Sequence, residues 1–359
     1  MKRICLMFNH FQFQDGVCRS AIGIANLLAE RDDVEVTLIP IYKFEKKTRG
    51  FLSPKVKLKK IFGVYFRGFS KIASLIPEKW IYNKYIKGQY NIEIAFQFGT
   101  SYHIITACEK PKGVKRIGWI HGYDNSYKKY YIKMDQMVCV SQSNAIRAFH
   151  DLDGQVPVTY NYNPIDDDKV REQGKESINL GIKNAEVKFV TVGRLSPEKG
   201  YARLISIMAR LRDNGYKFTL WILGSGPQES LLRKEVTARQ LEDHVILTGA
   251  KKNPHAYTSK ADIFICSSFS EGYSTACTEA VMLGVPVITT NVSGGEEIIK
   301  DAECGILTQM DDESLYQGIK QVLDNPKIIG EWKKTLQQTR ERFSARNRFE
   351  QLKRILAIK

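Results

Sequence analysis

Short apolar runs recur along the chain, and each is followed by a polar turn and then by apolar residues at helical spacing. In the first half these runs are Met1–Phe8, Val34–Ile39 and Met137–Val140. In the second half they are Lys188–Val192, Phe218–Leu223, Val245–Leu247, Ile263–Cys266 and Val285–Thr289. Runs this apolar predict strands that are covered on both faces, and the order strand, turn, helix is typical of doubly wound parallel sheets. The pattern predicts an α/β protein.

A polar stretch between residues 160 and 184 interrupts this alternation. It contains Asn163-Pro164 and three consecutive aspartates but few large apolar residues, which is typical of a boundary between domains. A chain of 359 residues also suits two domains of roughly 100–200 residues each. The tail from Pro326 to Lys359 shows one long amphipathic pattern. We therefore predict two doubly wound domains, at residues 1–165 and 166–335, and a helix at 336–359 that packs back toward the N-terminal domain.

Targeting and redox features are sparse. The first apolar run is too short for a signal peptide, and no run approaches the ~20 apolar residues that a membrane-spanning helix needs. Seven cysteines are scattered without a C-x-x-C pair, which favours reduced, buried thiols. These features predict a cytoplasmic protein.

The net charge of +15 is concentrated in the first half of the chain. Residues 1–165 hold 25 Lys or Arg against 13 Asp or Glu, and residues 43–87 hold 13 against two. Bulky apolar residues are interleaved with the cations of this segment, namely Phe51, Phe62, Tyr65, Phe66, Phe69 and Trp80. A basic patch indicates an anionic partner, so nucleic acid, a phosphorylated substrate, an anionic membrane and a merely solvated basic face all stay open. The mixture with bulky apolar side chains favours a membrane interface.

One candidate ligand site follows the apolar run that ends at Val192. Residues 193–200 read G-R-L-S-P-E-K-G, between a predicted strand and a predicted helix, which is where open α/β sheets bind ligands. The guanidinium fork of Arg194 and the point charge of Lys199 can neutralise a diphosphate without a metal, because both carry a fixed positive charge. Cations also occur on ordinary surface loops, so this segment alone does not establish a diphosphate site.

A second candidate segment follows the strand predicted at Ile263–Cys266. Residues 270–280 read S-E-G-Y-S-T-A-C-T-E-A. Gly272 allows the backbone to approach a ligand closely, while Ser274 and Thr275 can cap the following helix and direct its N–H groups at phosphate oxygens. The segment predicts an anion site at the start of a helix.

Two glutamates flank this predicted helix start. Glu279, about one turn into the helix, can accept hydrogen bonds from a diol such as ribose, and Glu271 can accept them from a sugar. Two glutamates eight residues apart are common in a chain with 39 acidic residues. Their position around a glycine turn, between a strand and a helix, is much more specific.

These segments, with L-G-S-G-P at residues 223–227, resemble the retaining glycosyltransferases of family 4. That family has the GT-B fold, two Rossmann-like domains that face each other across a cleft, and its E-x7-E motif matches Glu271 and Glu279. The resemblance covers nearly the whole second half of the chain. It implies that Arg194 and Lys199 bind the donor diphosphate, that Glu279 binds the ribose, and that Glu271 binds a hydroxyl of the transferred sugar. The other donor-binding residues that it implies are Gly272, Tyr273, Ser274, Thr275 and, near the nucleobase, Gly249, Ala250 and Lys251.

The first half of the chain matches the same family less well. Family members often carry a glycine pair in the first loop that touches the donor phosphate, whereas this chain has Gln14-Asp15-Gly16-Val17, which leaves Gly16 as the candidate. Trp119-Ile120-His121-Gly122 matches a position where the family often has a histidine near the donor sugar. The resemblance thus adds His121 to Arg194, Lys199 and Glu271 as the candidate catalytic residues, although a lone histidine at a strand end is otherwise usually structural.

By this resemblance, the reaction moves a sugar from a UDP- or GDP-sugar to an acceptor hydroxyl with retention of anomeric configuration. The implied acceptor is a lipid-linked saccharide for a bacterial surface polysaccharide, such as capsule, exopolysaccharide or O-antigen. The expected protein needs no metal or other cofactor, binds no nucleic acid and is peripheral on the inner face of the plasma membrane. Two alternatives stay open: a nucleotide-sugar epimerase on a similar scaffold, and a non-catalytic protein that binds an anionic surface.

Two other motifs are poor evidence for a site. Asp166-Asp167-Asp168 resembles a metal-binding cluster, but acidic residues after Asn163-Pro164 are typical of a helix start. Gly224-Ser225-Gly226-Pro227 is not a dinucleotide fingerprint, because Pro227 stands where the pattern continues and Leu231 replaces a third glycine. The sequence therefore does not predict a nicotinamide enzyme.

Overall fold

The computed structural model describes residues 1–12, 16–62, 66, 69, 73, 75–178 and 187–358. The chain divides into two compact units. The first consists of Met1–Pro164 together with Arg348–Lys359, and the second of Ile165–Asn347. The polar stretch predicts a domain boundary after residue 165, and the second unit begins one residue earlier, at Ile165.

The first unit contains a seven-stranded sheet in which neighbouring strands are parallel. Its strands are β1 (Lys2–Phe8), β2 (Val34–Pro40), β3 (Lys57–Leu58), β4 (Ile92–Ala95), β5 (Lys115–Ile120), β6 (Gln136–Cys139) and β7 (Val158–Tyr160). They lie in the order β3-β2-β1-β4-β5-β6-β7. The predicted first-half strands are confirmed as β1, β2 and β6, whose side chains are largely buried because helices and loops cover both faces of the sheet.

Helices of the first unit connect these parallel strands. They are α1 (Gly16–Ala29), α2 (Glu78–Tyr85), α3 (Thr100–Ile105), α4 (Lys128–Tyr131) and α5 (Gln142–Asp151), with 3-10 turns at Lys46–Phe51 and Asn125–Tyr127. The longest, α1, buries Ala21, Ala25 and Leu28, which lie on one face because a helix repeats every 3.6 residues. This face anchors α1 against the sheet.

The second unit contains a six-stranded parallel sheet. Its strands are β8 (Val187–Val192), β9 (Phe218–Leu223), β10 (Val245–Gly249), β11 (Ile263–Cys266), β12 (Val287–Thr290) and β13 (Ile306–Thr308). They lie in the order β10-β9-β8-β11-β12-β13. All five strands predicted in this half are confirmed within about two residues, because each is a run of apolar side chains long enough to be covered on both faces.

Helices cover the sheet of the second unit. They are α6 (Asp167–Gly174), α7 (Tyr201–Asp213), α8 (Glu229–Ala238), α9 (Pro254–Thr258), α10 (Thr275–Met282), α11 (Gly295–Ala302), α12 (Asp312–Asp324) and α13 (Lys327–Thr339), with 3-10 turns at Pro197–Lys199 and Arg340–Phe343. The last helix, α14 (Ala345–Leu356), begins in this unit and belongs to the first unit from Arg348 onward. Apolar residues of α7, α8 and α12 pack with those of β8, β9 and β11 in one buried cluster. This cluster fixes the strand ends that carry the candidate site.

The amphipathic tail is two helices, so the single helix predicted at 336–359 is wrong in its extent. Helix α13 ends at Thr339, and α14 begins at Ala345. Between them Ser344 is extended, and its Oγ accepts a hydrogen bond from Asn347 N at 3.4 Å, so it caps the start of a new helix. From Arg348 onward the tail belongs to the first unit, where Gln351 donates to Tyr160 O at 2.6 Å.

Candidate donor site

The candidate site lies where the strand order of the second sheet reverses. Strands β8 and β11 are neighbours at the centre, and the chain runs outward from them in opposite directions. At such a point, two loops diverge at the carboxyl ends of adjacent strands and leave a crevice for a ligand. The loops here are residues 193–200 after β8 and residues 267–274 after β11. The fold thus brings together the two segments that we selected from the sequence.

The loop that carries Arg194 is held by the end of β9. Gly193 N donates to Leu223 O, and Leu195 N donates to Ser225 O, both at 3.0 Å. A Cβ atom at Gly224 or Gly226 would collide with the main chain of this loop, and Gly224 has a φ of +151°, which L side chains rarely adopt. The glycines of the 223–227 motif therefore support the Arg194 loop, a role that sequence reasoning missed.

Arg194 itself is exposed. Among the described residues, its side chain has neither a carboxylate within salt-bridge distance nor a hydrogen-bond acceptor. An exposed guanidinium in this position keeps its N–H donors available for an anion.

Lys199 lies at the end of the 3-10 turn and is paired across the crevice. Its Nζ is 2.6 Å from Glu271 Oε1, and the same oxygen accepts a hydrogen bond from Ser268 Oγ at 2.6 Å. Burial opposes the charged ammonium, but the attraction of Glu271 outweighs it and the pKa of Lys199 is raised. The lysine is therefore charged at neutral pH.

A buried arginine fixes the loop after β11. Arg203 in α7 is 7% exposed, and its guanidinium donates to Ser267 O at 3.0 and 2.6 Å and to Ser268 O at 3.0 Å. It also donates to Met310 O at 2.6 Å. Sequence reasoning missed this residue, because nothing in the local pattern distinguishes a buried arginine on an amphipathic helix from a solvated one.

Helix α10 begins beside the Lys199–Glu271 pair. The Oγ of Ser274 accepts a hydrogen bond from Cys277 N at 3.3 Å, and Ser274 is the N-cap. Thr275 is the first helical residue, so it follows the cap rather than sharing it. The first turn of a helix leaves main-chain N–H groups without helical partners, and these carry a partial positive charge. The preceding Gly272 lies in the turn, and Tyr273 is buried against Gly294.

Glu279 lies farther along α10 and contacts α9. Its Oε2 is 3.4 Å from His255 Nε2, while His255 Nδ1 is 2.8 Å from Gln173 Oε1. If Nδ1 donates to Gln173, Nε2 can donate to Glu279 only when the imidazole is protonated. His255 and Gln173 are not predictable from local sequence patterns, because their contacts join α6, α9 and α10.

The three residues predicted near a nucleobase follow the edge strand β10. Gly249 ends the strand with a φ of +72°, and its carbonyl accepts a hydrogen bond from Gly224 N at 3.1 Å. Ala250 and Lys251 are exposed, and Lys251 Nζ lies 5.5 Å from the ring centroid of Tyr257 in α9.

His121 and Gly16 lie in the first unit. His121 follows β5, and its Nε2 is buried without a hydrogen-bond partner among the described residues. Burial lowers the pKa of His121 to about 4, although a hydrogen bond to the main chain of Phe96 opposes the shift, so the imidazole is neutral at pH 7. Gly16 is exposed at the start of α1, and Gln14 and Asp15 lie outside the described residues.

Asn9, which sequence reasoning did not select, follows β1 at the strand reversal of the first sheet. Its Oδ1 is buried without a hydrogen-bond partner among the described residues, and its N–H donates to Gln97 Oε1 at 3.0 Å. A buried polar atom without a partner costs free energy unless a ligand or water satisfies it. Asn9 and His121 therefore both place such an atom at the carboxyl edge of this sheet.

Two of the three consecutive aspartates at the start of the second unit, Asp166 and Asp167, have structural roles. Asp166 is the N-cap of α6 and accepts a hydrogen bond from Lys169 N at 3.0 Å. Asp167 accepts one from Ala345 N at 2.9 Å and lies 3.0 Å from Arg171. These contacts agree with the helix-start interpretation of the motif.

The basic segment 43–87 exposes several of its apolar side chains. Phe51, Phe66, Leu75 and Trp80 are exposed, whereas Phe69 is buried. Phe62 packs edge-on against Phe69, with ring centroids 5.3 Å apart. Tyr65 lies outside the described residues. Across the described part of the chain, no helix is both long enough and apolar enough to cross a bilayer.

Residues 172–348 match the family model described as glycosyl transferases group 1. The match covers just under half of the chain, and over these residues the chain is similar to that family. The matched region includes both loops at the strand reversal of the second sheet, with Arg194, Lys199, Glu271 and Glu279. The glycosyltransferase family that we recognised from these motifs is thereby confirmed.

Curated relatives match the chain over part of its length. An N-acetylgalactosaminyltransferase of Campylobacter jejuni, which acts on a diphospho-undecaprenol-linked saccharide, is 34% identical over 170 residues, 46% of this chain and 44% of that protein. A putative colanic acid biosynthesis glycosyltransferase of Escherichia coli is 33% identical over 134 residues, 35% of this chain and 33% of that protein. These two alignments thus span less than half of either relative.

Solved structures match the chain over nearly its whole length. HepE of Anabaena, in complex with UDP and glucose, aligns with a TM-score of 0.75 at 16% identity, covering 99% of this chain and 100% of HepE. The lipopolysaccharide outer core galactosyltransferase WaaB aligns with a TM-score of 0.74 at 16% identity, with 99% of each chain covered. At this identity the likeness concerns the fold alone, and it confirms the predicted GT-B class of two Rossmann-like domains.

Proposed function

We propose that this protein is a retaining glycosyltransferase that moves a sugar from a nucleoside diphosphate sugar, a UDP- or GDP-sugar, to an acceptor hydroxyl. The observation that carries the proposal is the crevice of the second unit. There an exposed arginine, a charged lysine and a helix start surround a space next to a glutamate, at the strand reversal where such sheets bind ligands. The match of residues 172–348 to the family model of group 1 glycosyl transferases supports the same activity.

The main barrier in such a reaction is charge separation at the departing diphosphate. In the proposed mechanism, Arg194, Lys199 and the N–H groups at the start of α10 stabilise this leaving group as negative charge develops on it. Glu279 accepts hydrogen bonds from the ribose, and Glu271 accepts one from a hydroxyl of the transferred sugar. Because Glu271 also holds Lys199, the contacts to sugar and diphosphate are coupled.

The proposed transfer takes place without a covalent bond between the sugar and the enzyme. The bond between the anomeric carbon and the diphosphate oxygen breaks, and a bond to the acceptor oxygen forms on the same face of the sugar. The acceptor proton passes to an oxygen of the departing diphosphate. We assign no side chain as nucleophile. The neutral imidazole of His121 is suited to a hydrogen bond with a sugar hydroxyl, because one ring nitrogen bonds to the main chain of Phe96 and Nε2 is left as an acceptor.

We further propose that the leaving group needs no metal. Arg194 and Lys199 supply fixed positive charge, whereas Asp166 caps α6 and Asp167 contacts Ala345 and Arg171. Gly249, Ala250 and Lys251 then lie on the side of the nucleobase, next to α9 and its contact with Glu279. Gly16 contributes a main-chain contact to phosphate from the start of α1.

The proposed acceptor is a lipid-linked saccharide for a bacterial surface polysaccharide, at the cytoplasmic face of the membrane. Its support is the basic segment 43–87, with exposed Phe51, Phe66, Leu75 and Trp80 among its cations. Each Lys or Arg near an anionic surface contributes ~1 kcal/mol, so a handful can hold the protein there reversibly. The Campylobacter jejuni relative, which acts on a diphospho-undecaprenol-linked saccharide, supports the same acceptor class.

Thermal unfolding in the presence of a panel of nucleoside diphosphate sugars tests the proposal. A donor at 100 times its dissociation constant adds ~2.7 kcal/mol to the free energy of unfolding. The expected result is stabilisation by the sugars of one nucleobase and transfer only when an acceptor is added. Interconversion of donor sugars without any acceptor would instead favour a nucleotide-sugar epimerase.

A further inference from the structure

An open cavity of about 740 Å³ lies at the amino ends of β1, β2 and β3 in the first unit. Ligands of doubly wound sheets bind at the carboxyl ends of the strands, so this cavity is at the edge of its sheet that the proposed glycosyl transfer does not use. Its volume falls within the range of ~300–1,000 Å³ that is typical of small-molecule sites.

The pairing of the strands explains which side chains meet in the cavity. Arg3 in β1 is the Cα partner of Glu35 in β2, and Thr37 in β2 is the partner of Lys57 in β3. Alternate residues of a strand point to the same face of a sheet. Arg3, Glu35 and Lys57 therefore share one face, and Lys59 continues it beyond the end of β3.

Loops on either side complete the cavity. Arg49 and Val56 line it from the segment that follows α1 and β2, and Arg49 is oriented by a hydrogen bond to Val56 O at 3.2 Å. Gln89 and Tyr90 line it from the segment before β4. The buried ring of Tyr90 forms part of the wall.

The charge of this lining is strongly positive. Among the described residues that line the cavity, four are cations, Arg3, Arg49, Lys57 and Lys59, and one, Glu35, is a carboxylate. Glu35 lies 2.5 Å from Lys57 Nζ, so this pair is locally neutral. Among the described residues, neither Arg3 nor Arg49 has a carboxylate within salt-bridge distance.

Lys59 adds a third uncompensated charge. Its Nζ donates to Gln89 Oε1 at 2.7 Å and to Tyr85 O at 2.9 Å. Both partners are neutral, and burial lowers the pKa of Lys59. Uncompensated positive charge along the wall of one concave surface attracts an anionic ligand.

We infer that this cavity is a second binding site of the protein, specific for the phosphate group of a phosphorylated small molecule or of a phospholipid headgroup. Two guanidinium groups and an ammonium match the charge of a phosphate ester, and arginine forks bind phosphate oxygens in pairs. A bare phosphate ion fills only a small part of the volume. The remaining space accommodates the organic group to which the phosphate is attached.

The test uses the full chain and sn-glycerol 3-phosphate as the soluble probe, with binding measured by isothermal titration calorimetry. The expected result is a 1:1 complex that Arg3→Gln/Arg49→Gln weakens at least tenfold. Because Arg49 also has a structural hydrogen bond, Arg3→Gln alone provides a second variant, for which we expect severalfold weaker binding. Thermal unfolding verifies that each variant is folded.

Two controls separate this site from others. Lys112→Gln/Lys133→Gln removes the same charge from exposed positions outside the cavity lining and leaves binding within twofold of wild type. Arg194→Ala, in the proposed donor site, also leaves it unchanged, so failure of one site is distinguishable from failure of the other. Absence of binding to the wild type, equal losses in the control variant, or a loss only in Arg194→Ala would each overturn the inference.

Vesicles identify the source of the phosphate. Co-sedimentation is compared for vesicles of phosphatidic acid and of phosphatidylserine, each mixed with phosphatidylcholine to the same surface charge. A preference for phosphatidic acid that Arg3→Gln/Arg49→Gln abolishes supports the site and assigns the ligand to a headgroup. Binding of sn-glycerol 3-phosphate without such a preference supports the site and assigns a soluble phosphate ester.

Discussion

The ammonium of Lys199 lies 2.6 Å from the carboxylate of Glu271, although the two residues are 72 positions apart. The resemblance implied separate roles for them, one at the diphosphate and one at the transferred sugar. The pairing shows that a ligand at either side chain changes the electrostatic environment of the other. Glu271 therefore both orients the cation and competes with the diphosphate for it.

This coupling predicts non-additive kinetics. We expect Lys199→Gln and Glu271→Gln each to lower kcat/KM by about 10²–10³-fold, the size typical of losing one group that stabilises transition-state charge. The double variant should be only slightly slower than the slower single variant, because residues in direct contact do not act independently. Steady-state kinetics of the four proteins measures the coupling.

Lys320→Gln serves as the matched control for that experiment. Lys320 Nζ lies 2.6 Å from Asp324 in an exposed ion pair on α12, outside the proposed site, and its loss should leave kcat/KM unchanged. If the rate effects of Lys199→Gln and Glu271→Gln simply multiply in the double variant, the proposed coupling is wrong.

A glycine of the supporting loop provides a second prediction. Gly224→Ala places a Cβ against the carbonyl of Gly193 at a φ of +151°, which strains the loop that carries Arg194. We expect at least tenfold weaker donor binding and a free energy of unfolding lowered by ~1–3 kcal/mol. Calorimetric titration with nucleoside diphosphate and denaturant unfolding measure the two effects.

Gly330 is the matched control for this substitution. It lies in α13, and a Cβ there meets no atom within 4 Å. Gly330→Ala should leave donor binding unchanged and raise the free energy of unfolding by up to ~1 kcal/mol, since alanine favours helix over glycine. Wild-type affinity in folded Gly224→Ala would show that the glycine does not position the Arg194 loop.

The buried imidazole of His121 predicts a dependence of stability on acid pH. Its pKa is lowered to about 4 in the folded protein, whereas an unfolded histidine titrates near 6.5. Below pH 6.5 the unfolded state therefore binds a proton that the folded state does not, so stability is lost as the pH falls. Between pH 7 and pH 5 this loss should be ~1–2 kcal/mol.

Denaturant unfolding at both pH values measures this loss. In His121→Asn the fall in stability between pH 7 and pH 5 should be smaller than in wild type by the same amount. Equal falls in the two proteins would mean that His121 is not neutral and desolvated. The activity of the same variant then tests the proposed contact with a sugar hydroxyl.

If the basic segment 43–87 binds membranes, the fraction of protein bound to vesicles should depend both on its cations and on its exposed apolar side chains. Leu75 is 80% exposed and Trp80 is 49% exposed, and Lys84 Nζ lies 4.5 Å from the Trp80 ring centroid. We expect wild-type protein to co-sediment with anionic vesicles at low salt and to be released near 1 M salt, where the screening length is about 3 Å. Leu75→Ser/Trp80→Ala should reduce the bound fraction severalfold.

The control for this variant is Ile146→Ser/Phe149→Ala, which removes two apolar side chains of comparable exposure, 54% and 53%, from α5. It should co-sediment like wild type. If wild-type protein ignores anionic vesicles at low salt, the membrane proposal fails, although the donor-site proposal would survive.

Much of this architecture is predictable from the sequence, because the determining signals are local. The strands are apolar runs, and the loops at their carboxyl ends follow from the parallel order. The cap at Ser274 and the helix start at Asp166 follow from residue types that accept main-chain hydrogen bonds. For these features, a few neighbouring residues contain the physical cause.

The features that escaped prediction depend on contacts between distant positions. Arg203 is recognisable only through its contacts with Ser267 and Met310, which are 64 and 107 positions away. The break in the tail depends on the single cap at Ser344, which a continuous amphipathic pattern obscures. The cavity at Arg3 and Arg49 requires strand register and loop packing, and neither is encoded locally.

The most direct test of the central proposal is calorimetric titration of wild-type protein with UDP and with GDP, in buffer containing EDTA. We predict 1:1 binding of one nucleotide that added magnesium does not strengthen. Arg194→Ala and Glu279→Ala should each weaken nucleotide binding at least tenfold, since a charged hydrogen bond contributes ~1.5–3 kcal/mol. The control variant Arg210→Ala, which removes an exposed arginine paired with Glu313, should bind the nucleotide like wild type. Binding of neither nucleotide, an absolute need for a divalent metal, or wild-type affinity in folded Arg194→Ala and Glu279→Ala would contradict the account.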